Sequence, residues 1–271
     1  MLTKTFGTHK PIIAMVHFPP LPSTPLYDQK GGMAKVIESA VRDIEALQAG
    51  GVDAIMFGNE GDRPYVTKAT PATLAAMAFA VGELKPLIKV PFGVNYLWDP
   101  VATVALAVAS DASFAREIFT GVYASDMGLW VPNAMEAQRL KMECGRSDLK
   151  LLYNINAEFA APVGDRAITA RAKSAVFAGL ADVVLVSGPM TGEAVETGEL
   201  KRVKDALPAT PVFANTGCTI DNIADILRIV DGAIVGTHFK VDGNTWNAVD
   251  RARVARFMDK VRGLREAKIN G

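Results

Sequence analysis

Eight short apolar runs recur along the chain, and each gives way to a longer stretch whose apolar residues repeat at helical spacing. The runs are PIIAMVHF (11–18), AIMFGN (54–59), PFGVNYL (91–97), FAREIF (114–119), LKLLYNIN (149–156), ADVVLVSG (181–188), PVFANTG (211–217) and GAIVGTHF (232–239). The helical stretches cover 33–51, 72–85, 99–109, 133–143, 166–178, 196–206, 221–229 and 248–264. In the first of them Val36, Ile37, Ala40, Ile44 and Leu47 make one apolar stripe. Asp99-Pro100 and Asp221 carry helix-start chemistry, and Gly50-Gly51 and Gly179 helix-stop chemistry. Near-continuous hydrophobicity in several runs suits parallel strands covered by helices on their outer face. Eight strand–helix units in 271 residues match a (β/α)8 barrel built as a single domain over residues 1–271. An open doubly wound sheet is the competing architecture, but it calls for a Gly-rich turn after the first strand. The chain has HFPPLPSTPLYDQKGG there, a stiff loop with four prolines.

Function classes narrow by composition. The 29 basic and 29 acidic residues cancel, and no dense run of Lys or Arg appears, which argues against nucleic acid as a partner. No run of 18 apolar residues is present, so membrane insertion is not expected. Cys144 and Cys218 lack metal-site spacing, and MLTKTFGTHKP lacks a secretory pattern; a cytoplasmic protein is expected. A homo-oligomer is compatible with all of this.

Barrel chemistry collects at the carboxyl ends of the strands, and every run here carries polar residues or glycine at that end. The first ends in His17, the second in Asn59 and Glu60, and the third in Asn95. The fourth holds Arg116 and Glu117, adjacent residues that should point to opposite faces, so that at most one faces the interior. In the fifth, Asn154, Asn156 and Glu158 share one face and Leu151, Tyr153 and Ile155 the other. The sixth ends in Ser187 and Gly188, the seventh in Asn215, Thr216 and Gly217, the eighth in Gly236 and Thr237. Glycines after the last two strands let backbone N–H groups approach an anion, with the helix start near Thr219 and Asp221 beyond them, although the Asp221 carboxylate would oppose one. A phosphate-binding site at Asn215, Thr216, Gly217, Gly236 and Thr237 follows. Glu158, His17 and Glu117 are the candidate proton-transfer groups, with Asn59, Glu60, Asn95, Asn154, Asn156 and Ser187 as substrate-binding residues. No cofactor is required, and Glu60, Glu117 and Glu158 leave room for a divalent Mg or Mn ion.

PIIAMVHFPPLP, GGVDAIMFGNE, PFGVNYLWDP, REIFTGVYASDMGLW, VSGPMTG, and ANTG followed by DGAIVGTHFKVDG are similar in order and spacing to the BtpA/SgcQ family, nearest its SgcQ-type branch. The resemblance implies a TIM barrel of the ribulose-phosphate-binding type and a place in carbohydrate metabolism. A photosystem I biogenesis role also attaches to the family. Many members of the BtpA branch have a Lys-His pair before an Ala-Pro turn in the fifth unit. This chain reads NINAEFAAPVG, which leaves Glu158 and Phe159 at that place and Glu158 as the proton-transfer group.

Two functions follow. One is an enzyme acting on a phosphorylated sugar or nucleoside by isomerisation, aldol or other lyase cleavage, or glycosidic cleavage. No lysine lies clearly inside a strand end, which disfavours Schiff-base aldol chemistry, although Lys240 is close to the eighth strand. The other is a noncatalytic stability factor that binds a protein through the Pro-rich loop 18–26 and the aromatic segment Tyr123 to Trp130.

Overall fold

A computed structural model describes residues 1–269. Its strands are β1 (Ile12–His17), β2 (Ala54–Gly58), β3 (Phe92–Asn95), β4 (Phe114–Glu117), β5 (Tyr123–Ser125), β6 (Gly128–Trp130), β7 (Lys150–Asn154), β8 (Ala160–Pro162), β9 (Val183–Val186), β10 (Val212–Ala214) and β11 (Gly232–Val235). The helices are α1 (Leu2–Phe6), α2 (Gly32–Gly50), α3 (Pro71–Leu84), α4 (Pro100–Ser110), α5 (Ala134–Glu143), α6 (Ile168–Phe177), α7 (Thr197–Ala206), α8 (Ile223–Ile229) and α9 (Arg251–Ile269). Eight parallel strands close in the order β1-β11-β10-β9-β7-β4-β3-β2, and α2 to α9 cover the outside. This is the (β/α)8 barrel that the eight-unit rhythm predicts.

Period-two alternation divides the apolar residues between two cores. Ile12, Ala14 and Val16 of β1 pack outward beneath the helices, whereas Ile13 and Met15 fill the barrel with Met56, Phe114, Leu152, Leu185, Phe213 and Ile234. Gly93 and Gly232 leave room for two of these rings, because a Cβ at either glycine would overlap Phe114 or Phe213. The bottom is closed by α1, which sequence reading left unassigned: Phe6 meets Phe114 edge-on at 5.3 Å. No helix among the described residues is long and apolar enough to cross a membrane.

Local signals fix most boundaries. Asp99 caps α4 by accepting from the N–H groups of Val101 and Ala102, and Gly51 ends α2 in the left-handed conformation. The start of α8 differs from expectation. Asn222 is its N-cap, Asp221 is exposed, and the helix has only seven residues.

A second sheet was not foreseen. The segment Tyr123 to Trp130, expected as an exposed contact surface, forms the hairpin β5–β6, and β5 pairs on its other side with β8. Tyr123 and Trp130 turn inward onto Trp98, Ile118 and Ala157, while Ala124, Asp126, Gly128 and Leu129 of the hairpin are exposed. The Pro-rich loop is likewise tied down, with Phe18 and Leu21 buried and the Leu21 N–H donating to Asp62.

The chain after β11 is anchored by a buried ion pair. Lys240 Nζ donates to Asp43 of α2 at 2.5 Å, and the Val249 N–H donates to the other Asp43 oxygen at 2.8 Å. Lys240 is thereby committed to structure and is absent from the pocket lining, which removes it as a Schiff-base candidate. Asp43→Asn should cost roughly 3–5 kcal/mol, because it leaves the Lys240 charge buried without its counter-ion. Urea unfolding measures this, and a midpoint equal to that of the native protein would refute the role given to the pair.

Candidate active site

One residue per strand forms the top layer of the barrel. His17, Gly58, Asn95, Arg116, Asn154, Ser187, Asn215 and Gly236 each lie two positions beyond an inward-facing residue of the same strand, so alternation carries them into the interior. Above them opens a cavity of about 320 Å³ at the carboxyl ends of the strands.

Arg116 crosses this layer. Its Nε donates to Asn95 Oδ1 at 3.0 Å, Nη2 reaches the same oxygen, and Nη1 donates to Asn215 Oδ1 at 3.1 Å. Asn95 and Asn215 therefore turn their amide nitrogens outward. Asn95 Nδ2 donates to Glu117 Oε1 at 3.0 Å, and Asn215 Nδ2 donates to Ser187 Oγ at 2.7 Å. Ser187 Oγ passes its hydrogen to Asn154 Oδ1 at 3.0 Å. The chain thus runs with one polarity across five strands.

Three carboxylates line the pocket. Glu117 accepts from Asn95, from the Trp98 N–H at 2.8 Å and from the Ile118 N–H. Strand parity points Glu117 away from the interior, yet the strand ends there and the side chain folds back over the mouth. Both Arg116 and Glu117 line the cavity, contrary to the expectation that only one would. Burial pushes the Glu117 carboxyl up to about 7, against the pull of its N–H donors and Arg116. Glu60 leans over Gly58, where a Cβ would overlap both of its oxygens. Its Oε1 lies 3.8 Å from Arg116 Nη2 and 3.7 Å from His17 Nε2, while Oε2 is buried without a partner. Burial raises the Glu60 carboxyl, opposed by Arg116. Glu158 sits at the rim, accepts from Thr191 Oγ1 at 2.6 Å, and is also raised by burial.

His17 lies beneath Gly236, where a Cβ would meet its ring at 3.0 Å and 3.2 Å. Burial, then Lys240 and Arg116, lower its pKa to about 3, so the imidazole is neutral and its contact with Glu60 is not an ion pair at neutral pH.

Other predicted residues have structural tasks. Asn156 lies outside the cavity lining and clamps β9: its Nδ2 donates to Ser187 O at 2.6 Å and its Oδ1 accepts from Ser187 N at 2.9 Å. Asn59 Oδ1 accepts from the Leu97 N–H at 2.7 Å, and its Nδ2 donates to Asp62 at 3.0 Å. Thr216 Oγ1 accepts from the Gly188 N–H. Gly217, with φ 63°, lies under the loop after β9, where a Cβ would strike the Ala194 backbone. Thr237 shares a 2.7 Å hydrogen bond with Thr245. Thr216, Gly217, Gly236 and Thr237 all line the cavity. Asp221 does not, which removes the repulsion its carboxylate posed.

Arg253 was missed in the sequence. It lies in the first turn of α9, lines the cavity beside Thr237, and donates from Nε to His238 O at 2.7 Å. A cation in a helix's first turn opposes the helix dipole, and that is the signal that could have found it. No three His, Cys, Asp or Glu side chains form a metal-ligand cluster among the described residues, so Glu60, Glu117 and Glu158 share a pocket without converging.

Residues 8–263 match the model of the BtpA family. The chain is 48% identical to the sgc region protein SgcQ of Escherichia coli (strain K12), over 97% of this chain and 98% of that one. It is 37% identical to the photosystem I biogenesis protein BtpA of Synechocystis sp., over 95% of this chain and 90% of that one. Among solved structures, thiamine phosphate pyrophosphorylase from Pyrococcus furiosus superposes with a TM-score of 0.56 at 17% identity, covering 94% of this chain and 96% of that one. Phosphoribosyl anthranilate isomerase from Thermus thermophilus superposes with a TM-score of 0.57 at 13% identity, covering 94% and 100%. These likenesses show the fold, a TIM barrel.

The raised Glu117 carboxyl has a thermodynamic consequence. The folded protein holds that proton up to about 7, whereas the unfolded chain releases it in the ordinary glutamate range. Native stability should therefore fall as pH climbs through that window. Glu117→Gln cannot titrate and should give the flatter stability–pH profile by urea unfolding. Parallel profiles for the two proteins would show that Glu117 is not raised.

Proposed function

The chain belongs to the BtpA family, and on that premise we propose that its barrel mouth is the active site of an enzyme acting on a phosphorylated sugar or nucleoside. One observation carries this reading: a single cavity has glycine turns, hydroxyls and Arg253 on one side and three desolvated carboxyl groups around the rest. Gly217 and Gly236 bring backbone to the cavity lining, Thr216 and Thr237 supply hydroxyls, and Arg253 supplies the positive charge for the phosphate.

Proton transfer falls to the carboxyl groups. Glu117, held near neutrality by burial, can give or take a proton at physiological pH, and Glu60 and Glu158 are the second acid–base candidates. Neutral His17 serves as a hydrogen-bonding group, and Arg116 stabilises negative charge that develops on substrate oxygen. This division suits isomerisation, lyase cleavage or glycosidic cleavage. The Schiff-base aldol route lacks a free lysine in the pocket lining. The buried aromatic hairpin supports an enzyme over a protein-docking factor, because its rings are spent on the barrel's own wall.

Thermal denaturation against pentose and hexose phosphates, nucleoside monophosphates, inorganic phosphate and the unphosphorylated sugars tests the reading. A ligand present at 100 times its Kd stabilises the native state by about 2.7 kcal/mol. Phosphorylated compounds should raise Tm, their unphosphorylated counterparts should not, and Arg253→Met should lose most of the shift. No shift with any phosphorylated compound, in a protein that melts cooperatively, would overturn the proposal.

A further inference from the structure

The ring of strands fixes what lies opposite the phosphate side. In the order β1-β11-β10-β9-β7-β4-β3-β2, the pair β3 and β4 stands across the barrel from β10 and β11. The cavity wall there is made by Leu97 and Trp98 after β3, Ile118 after β4, with Tyr65 and Phe159 beside them. Beside Asn95, Arg116 and Glu117 at the ends of the same two strands, these residues give this side an apolar and aromatic surface that the glycine side lacks.

Trp98 is held against its own preferences. It adopts φ 71°, the left-handed region that a bulky residue enters only at a cost, and Phe159 at the same wall has φ 55°. The surroundings enforce this geometry. The Trp98 N–H donates to Glu117, its ring packs edge-on to Trp130 at 5.0 Å, and the inserted sheet of β5, β6 and β8 places Trp130 and Tyr123 behind it. The indole Nε1–H is buried and meets no acceptor among the described residues. An unpaired buried donor is costly, and Trp98, which carries this one, belongs to the cavity lining.

We propose that this wall is a subsite for a planar heteroaromatic ring, and that the substrate is a nucleoside phosphate whose base packs on Trp98 and accepts from its Nε1–H. The proposal rests on the phosphate site and narrows its substrate class. A simple sugar phosphate offers hydroxyl oxygens to the indole N–H but no planar ring to cover the aromatic wall. An apolar aglycone would cover the wall but supply no acceptor, whereas a nucleobase offers a flat face and in-plane oxygen or nitrogen acceptors. A ligand spanning the two sides runs between Glu60, after β2, and Glu158, after β7. Both carboxyl groups then flank the junction of base and sugar.

The test titrates the full chain with purine and pyrimidine nucleoside 5′-monophosphates, ribose 5-phosphate and the free nucleosides, following Tm and tryptophan emission. At least one nucleotide should bind about tenfold or more tighter than ribose 5-phosphate and quench emission through Trp98. Trp98→Phe, which keeps a ring but removes the donor, should erase most of that preference while leaving the affinity for ribose 5-phosphate unchanged. Phe159→Ala, further out on the same wall, should weaken nucleotide binding in the same direction and serves if Trp98→Phe does not fold. Equal affinity for ribose 5-phosphate and every nucleotide, or a preference that survives both substitutions, would overturn the subsite. Binding and quenching by free nucleosides as strong as by nucleotides would uphold the subsite and sink the phosphate reading. Binding of no compound would sink both.

Discussion

The Arg116 guanidinium, held inside the barrel, is the constraint on which the site depends. A cation there must satisfy its donors or incur a desolvation cost of several kcal/mol. It does so with two amide oxygens, Asn95 Oδ1 and Asn215 Oδ1, and leaves Glu60 just beyond hydrogen-bond range at 3.8 Å. Glu60 stands within ion-pair distance, and neutral acceptors take the hydrogen bonds. They also transmit orientation. Because both asparagines must present oxygen to Arg116, both must donate outward, and this sets the hydroxyl of Ser187 and one oxygen of Glu117. One charge on β4 thus orders side chains on β3, β7, β9 and β10.

The same economy explains the glycines of the top layer. Gly58 and Gly236 occupy inward positions where other strands place polar side chains, and each has a side chain packed against it, Glu60 from just beyond the same strand in one case and His17 of the neighbouring β1 in the other. The strand Gly232–Val235 ends in Gly236 because the His17 ring lies against it. Close backbone approach by an anion is an added opportunity at that end. Gly188 and Gly217 act differently, since a Cβ at either would strike the backbone of Glu193 or Ala194 and lift the loop after β9 off the barrel. Gly236→Asp would displace the His17 ring, whereas a change at Arg253 leaves that ring in place.

Legibility in the sequence followed the range of the interaction involved. Alternation within a strand is local, so Asn154, facing inward, and Tyr153, facing the helices, could be assigned from LKLLYNIN alone. The polar top layer was legible for the same reason. Asn156 shows where the pattern stops: the strand has ended at Asn154, and two residues later the amide binds the backbone of β9 instead of facing the cavity. The sheet of β5, β6 and β8 joins two loops more than thirty residues apart through three-residue strands, too short for any periodicity to register. Arg253 reaches the mouth only because α9 returns over β11, and Trp98 becomes a wall only once β5 and β6 stand behind it.

Burial then sorts the ionisable groups by what they can do at neutral pH. The shared desolvation that neutralises His17, with a pKa of about 3, moves Glu117 the other way, to about 7. The mouth thus holds the Arg116 guanidinium, a neutral imidazole and a carboxyl group close to its titration point. Glu117 also accepts from the Trp98 backbone N–H, so the group closest to titrating at neutral pH helps hold the aromatic wall in its left-handed turn. Protonation of Glu117 and the posture of Trp98 are for that reason coupled, and a ring seated on the indole would feel the ionisation of a carboxyl group it does not touch.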